Sequence, residues 1–323
     1  EFEFIKSLQQ KYSLKKIGDD CAVLPKDSKT DLVITTDLLI EDIDFKLKWT
    51  MPEFLGHKAL AVSLSDIAAM GAKPVWSMLS IGIPEKIWKT DFVEKFYDGY
   101  LRLAKKFDVE LVGGDVSKSP DKIIIDSIVA GETKKGKAVL RSTAKVGDLI
   151  FVTGKLGGAS AGLELLETGE TYEKSKYKKL VEQQVKPYPQ TETGQILGAK
   201  NLTTSMIDLS DGLSGDLFHI CHSSKVGAKI YAEKIPIESE ISNLKSQKPK
   251  TKNRKLTLNF ALNGGEDFEL LFTINPKNNF LLKKYLQKHE ISHIGEITSN
   301  AEIIELVTGE KIEILEPKGF RHF

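Results

Sequence analysis

Cysteine is scarce in this 323-residue chain, which contains only Cys21 and Cys221. Two cysteines are too few for a disulfide framework or a cysteine-rich zinc site, and they fit a reducing compartment. The first residues, EFEFIKSLQQKYS, lack the basic and then apolar pattern of a secretory signal. No segment approaches the ~18 consecutive apolar residues of a transmembrane helix. We therefore expect a cytoplasmic protein with no membrane partner.

The chain also lacks an excess of charge of one sign. Charged residues make up 28% of it, yet the formal net charge is only +1. A nucleic-acid-binding protein usually carries a strong basic balance, so we expect small-molecule ligands and no nucleic acid. Hydrophobic residues make up 41%, which suffices for a globular interior, and the length favours two domains.

Strand-like and helical patterns alternate along the first half, which predicts an α/β fold. The strand-like runs are DLVITTDLLI, VWSMLSIGI, VELVGGD and KIIIDSIVAG. The helical runs are FLGHKALAVSLSDIAAMG and WKTDFVEKFYDGYLRLAKKF. Periodicity lapses around TKKGKAVLRSTAKVGD. We place a domain boundary near Lys145, between a first domain of residues 1–144 and a second of residues 145–323.

The second half repeats this alternation. LIFVTG, TTSMIDLS, LNFAL and FELLFTI are predicted strands, and LGGASAGLELLETG, GDLFHICHSS and FLLKKYLQKH are predicted helices. The basic run NLKSQKPKTKNRK is predicted to be a solvated surface loop.

Familiar phosphate-binding signatures are missing from the sequence. It contains neither a Gly-x-x-x-x-Gly-Lys-Ser/Thr loop nor a kinase His-Arg-Asp or Asp-Phe-Gly motif. The glycine-rich segment GKLGGASAG, residues 154–162, opens a predicted helix, and either close helix packing or an anion site explains it. Arg141 is a candidate phosphate clamp, with an ordinary surface arginine as the alternative.

Several aspartates occupy the same kind of position. Each stands at a strand end or a helix start, beside Gly, Ser or Thr, where ligands collect in open α/β sheets. These residues are Asp19, Asp20, Asp37, Asp66, Asp115, Asp208, Asp211 and Asp267. Any one of them is also explained as a helix cap or turn residue. That explanation is at least as good for Asp19, Asp267 and the nearby Asp216.

As a set, these acids predict a metal site. Two carboxylates about 4 Å apart repel by about 4 kcal/mol at an effective dielectric near 20, so they either take up protons or bind a cation. Thr35 and Thr36 add neutral oxygen ligands, and the sequence offers no paired His or Cys. Oxygen ligands favour Mg²⁺, Mn²⁺ or Ca²⁺ over Zn²⁺. Because Mg²⁺ often shares its ligands with substrate phosphates, the set points to phosphate chemistry.

A series of motifs occurs in a specific order along the chain. The motifs are IGDDCAV, TTDLLIEDIDF, HKALAVSLSDIAAMGAKP, LVGGDVS, LRSTAKVGD, MIDLSDGLSGDL, NGGEDFELLF and KGFRHF. In this order, over essentially the whole chain, they resemble the thiamine-monophosphate kinases. SLSDIAAMGA, GGD and DLSDGL mark a wider superfamily of ATP-dependent synthetases that includes aminoimidazole ribonucleotide synthetase. GGEDFEL and the aromatic-His-Phe ending indicate the thiamine enzyme.

The resemblance implies a fold and a reaction. The fold is a two-domain α/β subunit that is similar to aminoimidazole ribonucleotide synthetase. The subunit is expected to form a homodimer through its N-terminal sheet domain. The reaction is transfer of the ATP γ-phosphoryl group to thiamine phosphate, with several Mg²⁺ ions. A phosphate monoester has a second pKa of ~6 and is largely dianionic at neutral pH. No general base is therefore expected, and the metal ligands carry catalysis.

The resemblance also implies site residues. The magnesium ligands fall on Asp20, Thr35, Thr36, Asp37, Asp66, Asp115, Asp208 and Asp211. The ATP contacts fall on Tyr97, Gly114, Asp115, Arg141 and Ser210. The thiamine phosphate contacts fall on Asp44, Glu266 and Phe320. Phe320 is expected to stack on the cationic thiazolium ring, and docking into the core is the alternative. Glu266 is expected to attract the same cation, with a purely structural role as the alternative. Arg321 departs from the family, which usually has Asp there.

Two other classes of function are also compatible with the sequence. One is another ATP-dependent synthetase of the superfamily, such as a cyclo-ligase or a selenophosphate synthetase. The latter would carry a reactive Cys or selenocysteine and a Lys near a glycine-rich start, which EFEFIKS does not offer. The other is a homologue that binds nucleotide or metal without turnover. The presence of every acidic ligand position argues against a decayed site.

Overall fold

The computed structural model describes residues 2–244 and 250–319, and the chain has a mixed α/β fold. The first half begins with a helix and then alternates strands with helices. Its elements are α1 (Phe2–Tyr12), β1 (Ala22–Pro25), β2 (Thr30–Ile40), α2 (Pro52–Ala69), β3 (Lys73–Pro84), α3 (Glu85–Trp88), α4 (Phe92–Phe107), β4 (Glu110–Ser119) and β5 (Ile124–Lys134). The strands and the two long helices predicted from the sequence of this half are therefore confirmed.

The second half follows a short 3₁₀ turn at Arg141–Thr143. Its helices are α5 (Gly158–Glu167), α6 (Lys178–Val185), α7 (Thr191–Ala199), α8 (Leu213–Ser224), α9 (Lys250–Asn263) and α10 (Asn279–Tyr285). Its strands are β6 (Leu149–Thr153), β7 (Ser205–Asp208), β8 (Gly227–Tyr231), β9 (Leu270–Ile274), β10 (Ile291–Thr298), β11 (Ile304–Thr308) and β12 (Lys311–Ile314). None of the described helices combines the length and apolarity needed to cross a membrane.

One predicted strand is wrong. LNFAL, residues 258–262, lies within helix α9 rather than in a strand. Leu258, Ala261 and Leu262 pack into the same core, at the i, i+3, i+4 spacing that puts residues on one helix face. A short apolar run does not distinguish the two periods. The basic run predicted to be a loop also differs in part, because α9 begins at Lys250; residues 245–249 lie outside the described residues.

The described strands form two sheets, one in each half. The first sheet has the order β1-β2-β5-β3-β4, and the second has the order β12-β11-β8-β10-β6-β9-β7. Helices α2 and α4 cover one face of the first sheet, where Leu60 and Phe96 pack against Leu79 and Ile125. The opposite face, which we call the outer face, carries exposed side chains that include Leu38.

Helix α2 joins the two halves. Its sequence is apolar on nearly all sides, as is typical of a helix that is buried all round. Ala68 and Ala69 at its end pack with Leu197 of α7 and Met206 of β7. Helix α7 approaches closely because Gly194 has no side chain: a Cβ there would lie 2.2 Å from the Ala68 carbonyl oxygen. The end of α2 is therefore held against the second half.

Candidate active site

Three carboxylates from distant parts of the chain meet where the two halves join. Asp20 precedes β1, Asp66 lies near the end of α2, and Asp208 ends β7. Their carboxylate oxygens lie within 4.8 Å of one another, and we call these three residues the acid cluster. Carboxylates this close repel unless they are protonated or neutralised. A divalent cation with oxygen ligands would stabilise the arrangement.

Burial dominates the electrostatics of the acid cluster. Burial, followed by repulsion from Asp20, raises the pKa of Asp208 to about 8. Burial, followed by repulsion from Asp37 and Asp208, raises the pKa of Asp66 well above its usual value. In the absence of a cation, the cluster therefore retains protons near neutral pH. Cation binding to it is coupled to proton release.

Strand β2 directs Thr35 and Asp37 toward the acid cluster. The two share a strand face because alternate residues point to the same side. Thr35 Oγ1 donates a 2.5 Å hydrogen bond to Asp66 Oδ2. Burial raises the pKa of Asp37 to about 6. Its Oδ2 is buried and has no hydrogen-bond partner among the residues described. A buried carboxylate oxygen without a partner fits the role of a cation ligand.

Other predicted residues lie apart from the acid cluster. Thr36 points to the outer face, where its hydroxyl donates a 2.5 Å hydrogen bond to Asp126 Oδ1. Gly114 and Asp115 lie on edge strand β4, three strand spacings from β2, or about 14 Å. Tyr97 on α4 packs edge-on against Phe96, with 5.7 Å between ring centroids. Within one chain, the structure therefore does not bring these residues together with the three acids.

Arg141 reaches the acid cluster from the 3₁₀ turn between the halves. Its Nη2 donates to Asp20 Oδ1 at 2.5 Å, and its Nε donates to Asp20 Oδ2 at 3.2 Å. Burial opposes the charge of Arg141, but the carboxylate of Asp20 keeps its pKa above the ordinary value. Burial and then Asp20 raise the pKa of neighbouring Asp19 to about 7. With 13% of its side chain exposed, Arg141 is not a surface arginine.

The motif around Asp208 forms a tight turn between β7 and α8. Ser65 of α2 donates a 2.7 Å hydrogen bond to Asp208 Oδ2, which links the two halves directly. Asp216 Oδ2 accepts hydrogen bonds from the backbone nitrogens of Gly212, at 2.9 Å, and Asp211, at 3.2 Å. Asp216 thus stabilises the turn that presents Asp211, as expected for a structural residue at the start of a helix.

Two further predicted segments pack against this turn. The backbone nitrogen of Glu266 donates a 2.8 Å hydrogen bond to the Ser210 carbonyl. Ser214 Oγ donates a 2.5 Å hydrogen bond to the carbonyl of Lys318, near the end of the chain. The motifs MIDLSDGLSGDL and NGGEDFELLF therefore lie together, and Lys318, the first residue of KGFRHF, contacts the same turn. Phe320, the predicted stacking residue, lies outside the described residues, as does Arg321.

The predicted acceptor-binding side of the site contains an ion pair between a buried lysine and a partly exposed glutamate. Lys58 Nζ of α2 lies 2.7 Å from Glu266 Oε1, and Gln184 Nε2 of α6 donates to Glu266 Oε2. Asp44 lies next to Lys58 and Gln184 in the lining of a small pocket. Its Oδ2 accepts a 2.7 Å hydrogen bond from the Ile40 nitrogen. Lys58 therefore pairs with Glu266 and lines the same pocket as Asp44.

The glycine-rich segment at the start of α5 donates backbone hydrogen bonds to the side chain of Asp267. Asp267 Oδ2 accepts a 2.6 Å hydrogen bond from the nitrogen of Gly157, and Oδ1 accepts one of 3.2 Å from that of Ala159. Burial raises the pKa of Asp267 to about 7, although these backbone donors act in the opposite direction. Asp267 thus caps the start of helix α5. The anion site considered for GKLGGASAG is occupied by this carboxyl group.

Comparisons with known proteins decide the family. The family model described as AIR synthase related protein, N-terminal domain, matches residues 18–133, and that of the C-terminal domain matches residues 145–307. A thiamine-monophosphate kinase from Buchnera aphidicola subsp. Acyrthosiphon pisum (strain APS) is 40% identical over 316 residues, which are 96% of this chain and 93% of the relative. The chain belongs to the thiamine-monophosphate kinase family.

Other thiamine-monophosphate kinases agree in sequence and in structure. The relative from Bacillus subtilis (strain 168) is 35% identical over 95% of this chain and 93% of its own length. The solved structure described as AaThiL complexed with AMPPCP and TMP is 32% identical, has a TM-score of 0.85, and is matched over 100% of this chain and 97% of that one. The enzyme from Stenotrophomonas maltophilia K279a has a TM-score of 0.78 at 30% identity, with 96% of both chains covered.

Some residues at this thiamine-monophosphate kinase site were missed from the sequence. Ser65, Lys58 and Gln184 make contacts between halves that no local pattern indicates: Ser65 with Asp208, and Lys58 with Glu266 and the Gln184 backbone carbonyl. A weak signal existed for the first two: both are polar residues in the otherwise apolar helix KALAVSLSDIAAM. Gln184 carried no such signal, because it belongs to an ordinary polar surface pattern on α6.

Proposed function

We propose that this chain transfers the γ-phosphoryl group of ATP to thiamine phosphate, which yields ADP and thiamine diphosphate. The observation that carries the proposal is the acid cluster, with carboxylate oxygens from both halves within 4.8 Å of one another. Membership of the thiamine-monophosphate kinase family supports the choice of substrates. The similar solved structure is a complex with AMPPCP, an ATP analogue, and TMP, which supports the same pair of ligands here.

We infer that several Mg²⁺ ions serve as cofactor. Asp20, Asp66 and Asp208 would hold them, with Thr35 and Asp37 from β2 and Asp211 from the turn after β7. The donor set fits, because every group is a hard oxygen ligand and Asp37 Oδ2 has no partner within the described chain. When bound, Mg²⁺ would supply positive charge that offsets the negative charge developing during phosphoryl transfer.

The chain's own residues then bind and orient the two substrates. Arg141 carries a positive charge at the acid cluster and is suited to a terminal phosphate of ATP. Ser210 lies in the turn beside Asp211, where it can contact the nucleotide. No side chain is required as a general base, since the acceptor phosphate is already anionic. Most of the rate acceleration would come from positioning and charge neutralisation.

The length of α2 fits the acceptor. Lys58 and Asp66 are eight residues apart, about 12 Å along a helix axis. A phosphate bound near Asp66 would leave the rest of an extended, two-ring molecule close to the Lys58–Glu266 pair. Asp44 and Glu266 offer carboxylates to a cationic thiazolium and a ring amino group. Lys318 contacts Ser214 in this turn, and its position two residues before Phe320 supports the proposed stacking role of Phe320.

We also propose that the protein forms a homodimer through the outer face. Leu38, Met78 and Ile124 lie on that face and are exposed by 55%, 39% and 39%. Adjacent strands place them together, and apolar side chains grouped in this way indicate a protein interface.

The dimer would also explain the predicted residues that lie apart from the acid cluster. Gly114 and Asp115 lie about 14 Å from β2 in their own chain. We infer that they complete the site of the partner subunit. Thr36, on the outer face, and Tyr97 of α4 stay proposed ligand contacts of the assembled dimer.

We also propose a role for each of the two domains and a cellular location for the protein. We assign residues 1–144 to an ATP- and metal-binding, dimerising domain and residues 145–323 to a domain that completes the substrate site. The two family models support this division, because the match to the first ends at residue 133 and the match to the second begins at residue 145. We further propose a cytoplasmic location, since ATP and thiamine phosphate are both found there.

Purified protein incubated with ATP, Mg²⁺ and thiamine phosphate tests the function. Chromatography should show thiamine diphosphate and ADP in equal amounts, and no product when Mg²⁺ is replaced by EDTA. Folded protein that binds ATP but forms no thiamine diphosphate would refute the kinase function. It would favour a non-catalytic homologue, or another synthetase if ADP appeared only with a different acceptor.

A further inference from the structure

Lys58 stands out because it is a buried lysine in an apolar helix. It is 3% exposed, and Leu55 and Val185 line the same small pocket. Burying an ammonium group costs free energy unless the charge is paired and hydrogen-bonded. A methionine would fill the same space without that cost, so packing alone does not account for a lysine at this position.

The contacts of Lys58 form a closed set with two other residues. Its Nζ lies 2.7 Å from Glu266 Oε1 and donates a 3.3 Å hydrogen bond to the backbone carbonyl of Gln184. The side-chain amide of Gln184 donates to the other oxygen of Glu266. Both carboxylate oxygens of Glu266 therefore receive a donor, one from α2 in the first half and one from α6 in the second. Rotation of the carboxylate would break at least one of these bonds.

Glu266 is held in an unusual conformation as well. Its φ is +65°, in the left-handed region that costs a residue with a Cβ about 1–2 kcal/mol. Its backbone nitrogen is bonded to the Ser210 carbonyl at 2.8 Å. The side chain remains 29% exposed although Lys58 and Gln184 contact its two carboxylate oxygens. A carboxylate oxygen accepts more than one hydrogen bond, which leaves capacity for a ligand.

We propose that Lys58 is a positioning residue, with Gln184 as its partner, that orients the Glu266 carboxylate for the cationic ring end of the acceptor. The inference rests on the proposed function, which gives Glu266 its ligand. The contacts of Lys58 and Gln184 with Glu266 would thus contribute to acceptor specificity, and they join α2, the helix that carries Asp66, to the NGGEDFELLF segment. Loss of these contacts weakens binding of the acceptor and leaves ATP binding at the acid cluster unchanged.

The test compares KM values in Lys58→Met and wild-type protein. The KM for thiamine phosphate should rise by ~10- to 100-fold, as expected when a charge-assisted hydrogen-bond network to one carboxylate is lost. The KM for ATP should change by less than about twofold, because the acid cluster is intact. The control is Lys179→Met, which removes another lysine–glutamate pair, Lys179 Nζ to Glu238 Oε2 at 2.9 Å. It should leave both KM values unchanged.

A double-mutant cycle separates positioning from simple structural support. In a Glu266→Gln background, Lys58→Met should cause no further rise in the KM for thiamine phosphate, since the group it orients is already altered. The proposal would be overturned if the effects of Lys58→Met and Glu266→Gln on this KM multiplied. It would also be overturned if Lys58→Met raised the KM values for thiamine phosphate and ATP equally. If Lys58→Met does not fold, Gln184→Leu removes the other donor and should raise only the KM for thiamine phosphate.

Failure of this inference is distinguishable from failure of the proposed function. Wild-type protein that forms no thiamine diphosphate refutes the function, whatever Lys58 does. In that case, calorimetric titration of thiamine phosphate into wild-type and Lys58→Met protein still decides the inference. Binding that weakens in the variant supports it. Equal binding, or none to either protein, overturns it.

Discussion

At the scale of single residues, Asp211 is a proposed metal ligand, whereas Asp216 stabilises the turn. We expect Asp211→Asn to lower kcat by at least ~100-fold with little change in stability, because it removes a charged ligand and little packing. Asp216→Ala is the matched variant, since Asp216 accepts the backbone hydrogen bonds of Gly212 and Asp211. It should lower the free energy of unfolding by ~1–3 kcal/mol. Unfolding of Asp211→Asn with normal specific activity in the folded fraction would contradict this assignment.

The raised pKa values predict how stability depends on pH. The pKa of Asp208 is about 8, well above its value in an unfolded chain. Asp208 thus holds more proton in the folded protein than in the unfolded chain as pH rises from about 4 to 8, so its contribution to stability falls over that range. His57 and His219, whose pKa values are lowered to about 4 by burial, act oppositely, but only up to about pH 6.5. The carboxylate effect therefore dominates between pH 6.5 and 8.

Thermal unfolding at several pH values measures this effect. In EDTA, Tm should fall from pH 6.5 to pH 8. Mg²⁺ with ATP should restore more stability at pH 8 than at pH 6.5, because cations compete with protons for the cluster. Asp208→Asn should flatten the dependence in EDTA. A Tm that rises toward pH 8 in EDTA would contradict the electrostatics described for the acid cluster.

At the scale of elements, α2 determines the spacing between the halves. Gly194→Ala would place a Cβ 2.2 Å from the Ala68 carbonyl oxygen, so α7 must move away from α2. We expect a loss of ~1–3 kcal/mol of unfolding free energy, typical of overpacking. Mg²⁺-dependent ATP affinity should also weaken, because Ala68 is near Asp66. Glu192→Ala, at an exposed position of the same helix, is the control. Calorimetric denaturation and ATP titration of both variants check this, and unchanged values for Gly194→Ala would contradict it.

Most elements were predictable because their sequences are long and have a typical strand or helix composition. DLVITTDLLI is rich in β-branched residues, which identifies β2, and α2 was recognisable by its length. LNFAL was too short to show its period, and tertiary packing on the second core made it helical. The strand period also shows why Thr35 and Thr36 could not both face the acid cluster, although the resemblance names both as ligands.

At the scale of the whole molecule, convergence could be predicted only through the resemblance. Nothing local in LSDIAAM or SMIDLSD indicates that Ser65 would donate to Asp208 across the boundary between the halves. The family order of motifs implied one site, and the structure brings Asp20, Asp66 and Asp208 together. Contacts such as Lys58–Glu266 depend on how segments distant in sequence pack together, which a single sequence does not encode in any short pattern.

The outer face gives a prediction about assembly. Leu38→Glu should shift the protein from dimer toward monomer in analytical ultracentrifugation, because it buries a charge in an apolar interface. Activity should fall in parallel, since Asp115 would no longer reach a partner. Phe280→Glu, at a 75% exposed apolar residue of α10, is the control and should change neither property. A fully active monomer would refute the shared site.

The proposed mechanism depends on acids from both halves forming one metal–nucleotide site. Mg²⁺-dependent binding of a non-hydrolysable ATP analogue to Asp66→Asn, Asp208→Asn and the double variant measures it most directly, by isothermal titration calorimetry. We predict that each single substitution weakens binding by at least ~10-fold and that the double substitution is much less damaging than the product of the two. Wild-type affinity in either single variant, or fully multiplicative losses in the double variant, would contradict it.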